Sequence, residues 1–277
     1  ANNLPTPHLP SLKTFAQNTN KEWRIQPNYV DTISNKKAPT SRQVEKYKEQ
    51  GESIQLKVIE AKLDRNFLVL APPGTGKTHT LIERLVYALS ESTNKEDAGE
   101  LLVLSFTRAA VGEIRERITK AISHGAPRSL RYVRIATFDA YATWLLKDSD
   151  YDIAPLTYDA RIQLLANSLK KVNLRQATDR IGRSRYLFVD EIQDLVGVRA
   201  DMVFELVKRF LSNKGSVTLL GDPQQSLNDY QAKNGSSGSA EFLEKVREHL
   251  SGELEQLELQ GSRRYETPRM KAIAARA

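Results

Sequence analysis

The chain has 277 residues, 40% of them hydrophobic, with no cysteine and with 41 Lys and Arg against 34 Asp and Glu, for a net charge of +7. That length can bury a full core and makes one large domain the natural organisation; the lack of cysteine excludes disulfide frameworks and thiolate metal sites. The four His are scattered, no stretch approaches the roughly 18 apolar residues of a membrane span, and the N-terminus has no signal-peptide layout, so a cytoplasmic chain without membrane contact is expected.

In chain order, residues 1–40 hold five prolines (Pro5, Pro7, Pro10, Pro27 and Pro39) among many polar residues and read as a loosely ordered leader, or a segment that docks a protein partner. Residues 41–62 read as two short helices broken at Gly51, the second with Ile54, Val58, Ile59 and Ala61 on one face. Apolar runs then alternate with amphipathic helical text. The runs are Phe67–Leu70, Leu101–Leu104, Val133–Ile135, Tyr186–Val189, Val217–Leu220 and, more weakly, Leu257–Leu259. Strands apolar throughout and separated by helices predict a parallel sheet covered on both faces. Residues 139–185 are polar and helical without a strand-like run, and read as a small helical insert. Between Arg108 and Arg134 seven basic residues face only Glu113 and Glu116, which suits a polyanion or a solvated helix face. Thr267-Pro268 opens a helix near the end with no stop signal before Ala277, which predicts that the protein continues.

The text FLVLAPPGTGKTHTLIERL sets an apolar strand, a glycine turn and an amphipathic helix in sequence, the context a phosphate-binding P-loop requires. Gly74 and Gly76 let the backbone curl so that successive N–H groups point at phosphate oxygens, Lys77 reaches the terminal phosphates, and Thr78 offers its hydroxyl to magnesium. Ala71 stands where the strict pattern has glycine. Pro73, Gly74, Thr75, Gly76, Lys77, Thr78 and His79 form the candidate nucleotide-binding stretch. Over a hundred positions later, YLFVDEIQD places Asp190 and Glu191 at the carboxyl end of a strand, where ligands of open α/β sheets bind. Asp190 suits magnesium and Glu191 suits the attacking water, with Asp194 the better candidate for capping the next helix. SVTLLGDPQQSL brings Asp222 and Gln225 to the same edge, where the Gln225 amide suits the γ-phosphate and the catalytic water.

These three segments, in this order, resemble motifs I, II and III of UvrD/Rep-like superfamily 1 DNA helicases. SFTRAAVGEIRERI, from Ser105, is similar to the family's motif Ia, and ATFDAYATWLL, from Ala136, to its motif Ib. The resemblance implies that Gln55 reads the adenine edge and that Phe106, Thr107, Arg108, Thr137 and Phe138 line a single-strand path. Read from the residues alone, Phe106 and Phe138 favour core packing beside the sheet. Tyr230 falls where the family stacks a base on an aromatic ring. LELQGSRRYETP is similar to motif IV, which puts Arg264, or failing that Arg263, at the γ-phosphate.

The match has departures. Only about 50 residues separate Phe138 from Asp190, too few for the family's inserted subdomain, so the insert is reduced. Gln231 stands where the family often has arginine. Motifs V and VI, and the second RecA-like domain that carries them, are not in this chain. The expected fold is α/β: one RecA-like P-loop NTPase domain spanning residues 41–277, a parallel sheet flanked by helices, with the reduced insert. The resemblance implies an ATP- and magnesium-dependent DNA helicase whose partners are single-stranded DNA and the second RecA-like domain, with 3′ to 5′ movement and a weakly active fragment. DNA repair is one setting for such a motor. An RNA helicase of the same superfamily, or a nucleotide-gated protein-docking module, are the rival readings.

Overall fold

The computed structural model describes residues 53–90, 97–147, 149, 151–171, 181, 183–222 and 239–259, all inside the compact unit of residues 42–264. The leader, the first of the two short predicted helices and the predicted helix at Thr267 lie outside the described residues.

Helix α1 covers residues 53–59. It is followed by β1 (Asn66–Leu70), α2 (Lys77–Leu89), β2 (Leu101–Ser105), α3 (Arg108–Ser123), β3 (Arg134–Thr137), α4 (Phe138–Leu146), α5 (Tyr158–Lys171), β4 (Tyr186–Val189), α6 (Gly197–Ser212), β5 (Ser216–Gly221), α7 (Ser239–Leu250) and β6 (Leu254–Glu258). The strands form one sheet in the order β3-β2-β4-β5-β1-β6, parallel at every pairing. The six predicted runs are the six strands. The last begins three residues earlier than Leu257, at Leu254, because a half-exposed edge strand needs no continuous apolar run.

Side chains alternate across the sheet and build two hydrophobic layers. Leu68, Leu102, Leu104, Leu187, Val189, Val217 and Leu219 face α4, α5, α6 and α7. Phe67, Val69, Leu101, Val103, Tyr186 and Phe188 face α1, α2 and α3. Both faces are covered, as near-continuous apolar strands require.

The polar text read as a reduced insert contributes to the first layer. Tyr141, Leu145, Leu146, Ile162 and Leu165 are buried in the same cluster as β2, β4 and β5. Arg199 of α6 ties this layer together, reaching Asp139 of α4 at 2.7 Å and Asp159 of α5 at 2.9 Å.

A buried cation braces α1. Arg84 of α2 is 1% exposed and donates to the carbonyls of Val58, of Ala61 at 3.2 Å and of Lys62 at 3.3 Å. Those carbonyls include ones that the end of a helix leaves without intrahelical donors. The sheet's parallel register brings the ends of β1, β4 and β5 to one edge, where Ala71 N–H donates to Gly221 at 2.9 Å and Asp190 N–H to Leu104 at 2.8 Å. Lys77, Asp190, Glu191 and Asp222 follow the strand ends at this edge.

Candidate active site

The loop after β1 turns through two glycines with left-handed backbone, Gly74 at φ 81° and Gly76 at φ 103°, a region costly for any residue with a Cβ. Gly76 is the N-cap of α2, with no side-chain cap and no acid in the first turn. Free N–H groups and the positive end of the helix dipole are thus left for an anion. Thr75 closes the turn through its hydroxyl on the Pro72 carbonyl at 2.7 Å. Gln55 is buried and donates its amide to the Thr75 carbonyl at 2.7 Å. It braces the loop from α1, a role the residue pattern did not disclose. His79, in the first turn of α2, lies 3.8 Å from Glu83.

Lys77 Nζ meets Glu191 Oε2 at 2.9 Å, joining the loop after β1 to the end of β4. Glu191 holds a left-handed backbone, φ 57° and ψ 48°, a conformation that costs a non-glycine residue about 1–2 kcal/mol and is retained in folds mainly at functional sites. Asp190 is buried, and its Oδ1 has no hydrogen-bond partner among the described residues. Burial, then the neighbouring Glu191 carboxylate, push its carboxyl up to about 7 against the pull of Lys77. Asp194 is raised for the same two reasons in the same order. Ser105, buried at the end of the adjacent β2, likewise has a hydroxyl oxygen without a partner among the described residues.

Gln193 is the residue that sequence reasoning passed over. It lies in the short turn Ile192–Asp194 and is 6% exposed. Its Nε2 donates to Glu191 Oε2 at 2.5 Å and its Oε1 accepts from Asp222 N–H at 2.9 Å. The only signal in the sequence was its place two residues after Glu191.

A second surface lies over β3. A groove of about 540 Å³ includes Arg108, Arg115, Tyr132, Arg134, Thr137 and Trp144 in its lining, which holds no carboxylate among the described residues. Arg115 donates to the Ile135 carbonyl of the edge strand at 2.9 Å, and the Arg134 guanidinium lies 3.7 Å from the Trp144 ring centre. Thr107 and Thr137 cap α3 and α4, accepting from Ala110 N–H at 3.0 Å and Ala140 N–H at 3.2 Å. Thr107 and Arg108 are exposed.

Phe138 follows the core reading of the bare residues over the strand path that the resemblance implied. It is fully buried in the main core, because α4 turns its first residue inward against the sheet. Phe106 is partly buried, edge-on to Phe138 at 6.4 Å and 5.9 Å from the Arg199 guanidinium. Gln225, Tyr230, Gln231, Arg263 and Arg264 lie outside the described residues.

An unacidified helix N-terminus opened by Lys77, with Asp190 and Glu191 presented to it from β4, gives this α/β domain the arrangement of a P-loop phosphate site. Residues 52–181 match the model of the UvrD/REP helicase N-terminal domain. Over 197 residues the chain is 26% identical to an ATP-dependent helicase/nuclease subunit of Acetivibrio thermocellus, covering 68% of this chain and 15% of that protein. Over 86 residues it is 43% identical to the protein of the same name from Clostridium beijerinckii, covering 30% of this chain and 7% of that one. The chain thus spans only a small part of the length of these relatives. Its overlap with unliganded Pif1 from Bacteroides sp is loose, with 13% identity, a TM-score of 0.35, and coverage of 84% of this chain and 44% of that one. Residues 52–181 are thus similar to the N-terminal domain of UvrD/REP helicases.

Proposed function

We propose that this domain binds ATP with magnesium and hydrolyses it to drive movement along single-stranded DNA, 3′ to 5′ as in the family it resembles. The observation that carries this reading is the Lys77–Glu191 contact at the mouth of the glycine turn. The relatives, named as ATP-dependent helicase/nuclease components, support the same reading.

The donor set fits magnesium. Asp190 offers a buried oxygen without a partner among the described residues, and no cluster of three or more His, Cys, Asp or Glu forms a closed metal cage there. Magnesium held by one carboxylate and one hydroxyl completes its shell with phosphate oxygens and water; Asp190 and Thr78 are those two groups. The ion, when bound, offsets charge on the β- and γ-phosphates.

A triphosphate competes with Glu191 for the Lys77 ammonium. Once Lys77 turns to the phosphates, Glu191 is released to orient and deprotonate the attacking water. Gln225 and Arg264 complete the proposed set at the γ-phosphate. The groove over β3 supplies basic and aromatic groups of the kind that hold a nucleic-acid backbone and stack its bases. Thr107, Arg108 and Thr137 present the polar rim of this path, with Tyr230 as its proposed stacking residue. The Thr107 and Thr137 hydroxyls accept from their own helices and keep a proton to donate to phosphate.

The test is ATP hydrolysis by the full-length protein with and without single-stranded DNA, with Glu191→Gln as control. Strong stimulation that this substitution abolishes supports the motor. Bound ATP without stimulation would overturn it in favour of a nucleotide-gated docking module, and stronger stimulation by RNA than by DNA would reassign the substrate.

A further inference from the structure

We propose that Gln193 is a positioning residue for Glu191 and the mechanical link between that carboxylate and the backbone that leaves β5. The proposal rests on Glu191 acting as the base.

One planar amide spans the two elements. Its NH₂ end donates to Glu191 Oε2 at 2.5 Å and its oxygen accepts from Asp222 N–H at 2.9 Å. The two ends of an amide cannot move independently, so a displacement of the Asp222 backbone is passed to Oε2. Lys77 donates to that same oxygen. When Lys77 turns to the phosphates, Gln193 alone of these two donors still orients the carboxylate.

The surroundings leave the link little slack. Gln193 is almost fully buried, and Asp194 N–H on the Glu191 carbonyl at 3.1 Å closes its turn. A Cβ on Gly221 would lie 2.4 Å from Ile192 Cγ1 and 2.9 Å from Gln193 Oε1. Glycine is what lets the end of β5 approach this turn so closely. Asp222 opens the segment read as motif III. Movement of that segment would therefore reach the base through two hydrogen bonds.

Two substitutions in the full-length protein separate this role from plain structural support. Gln193→Ala cuts both bonds. Gln193→Glu keeps an acceptor for Asp222 N–H but removes the donor to Glu191. A positioning role predicts that both variants lose about 10- to 100-fold in DNA-stimulated kcat while nucleotide affinity stays within about twofold. Hydrogen exchange at the Asp222 amide should quicken in Gln193→Ala and stay slow in Gln193→Glu. Wild-type kcat in Gln193→Glu, or a kcat loss matched by an equal loss of nucleotide affinity, would overturn the positioning role. Unchanged exchange at Asp222 in Gln193→Ala would overturn the link, whatever hydrolysis does. Absence of DNA-stimulated hydrolysis in the wild type would instead sink the motor reading, and exchange at Asp222 would still judge the link.

Discussion

Lys77 and Glu191, 114 positions apart in the chain, hold each other at 2.9 Å. The contact ties up the proposed phosphate-binding ammonium and the proposed water-activating carboxylate together, so each is available to ATP only when the other is released. Glu191→Gln should weaken the tether and remove a negative charge beside the phosphates. The expected outcome is tighter binding of a fluorescent ATP analogue with hydrolysis reduced by roughly 100-fold or more, the scale of a lost general base. Unchanged turnover would remove Glu191 from the chemistry.

Asp190 sets a pH dependence. Its carboxyl titrates at about 7 in the folded protein against an ordinary 3.8, so between those values the native state binds more protons than the unfolded chain. This group's contribution to stability therefore falls as pH rises through that window, and the full penalty is present above it. The proposed magnesium site needs the carboxylate, so affinity for magnesium-ATP should climb by up to about tenfold per pH unit toward neutrality and then level off. Titration calorimetry across that range reads it, and Asp190→Asn should bind more weakly with a flat profile.

Thr107 combines two tasks that substitution can separate. Thr107→Ala removes the cap on α3 and should cost about 1 kcal/mol of stability. Thr107→Asp keeps an acceptor for the Ala110 N–H and places a negative charge on the proposed strand path. Its melting temperature should stay near wild type while single-stranded DNA affinity falls, most steeply at low salt. Equal DNA affinity in the Asp variant would place the strand elsewhere.

Arg84 is a stability prediction with a functional echo. Burial lowers its pKa to about 10, which leaves it charged at neutral pH among its carbonyl partners. Arg84→Met strips those carbonyls of their donor and should cost roughly 2–5 kcal/mol, by the scale of a broken buried polar network. Because α1 also carries Gln55 to the Thr75 carbonyl, nucleotide affinity should drop as well. Thermal melts and nucleotide titration of the same variant check both effects. A stable variant with intact affinity would show that α1 docks without this brace.

The sequence by itself determined the parallel sheet, since near-continuous apolar strands separated by amphipathic helices can be buried only with helices on both faces. It also determined the glycine turn ahead of α2, because such a turn between strand and helix, with lysine at the helix start, is local geometry written in adjacent residues. Only the tertiary structure decided which distant groups meet. Nothing adjacent to Gln193 shows that its amide bridges Glu191 and Asp222, or that Arg84 will find the end of α1, because both depend on the order in which strands lie side by side. The left-handed backbone of Glu191 was hidden for a related reason: surrounding contacts, and no glycine, hold it there. Phe138 shows the other side of this limit. The resemblance to motif Ib put it on the strand path while its apolar ring favoured the core, and the packing of α4 against the sheet buried it there.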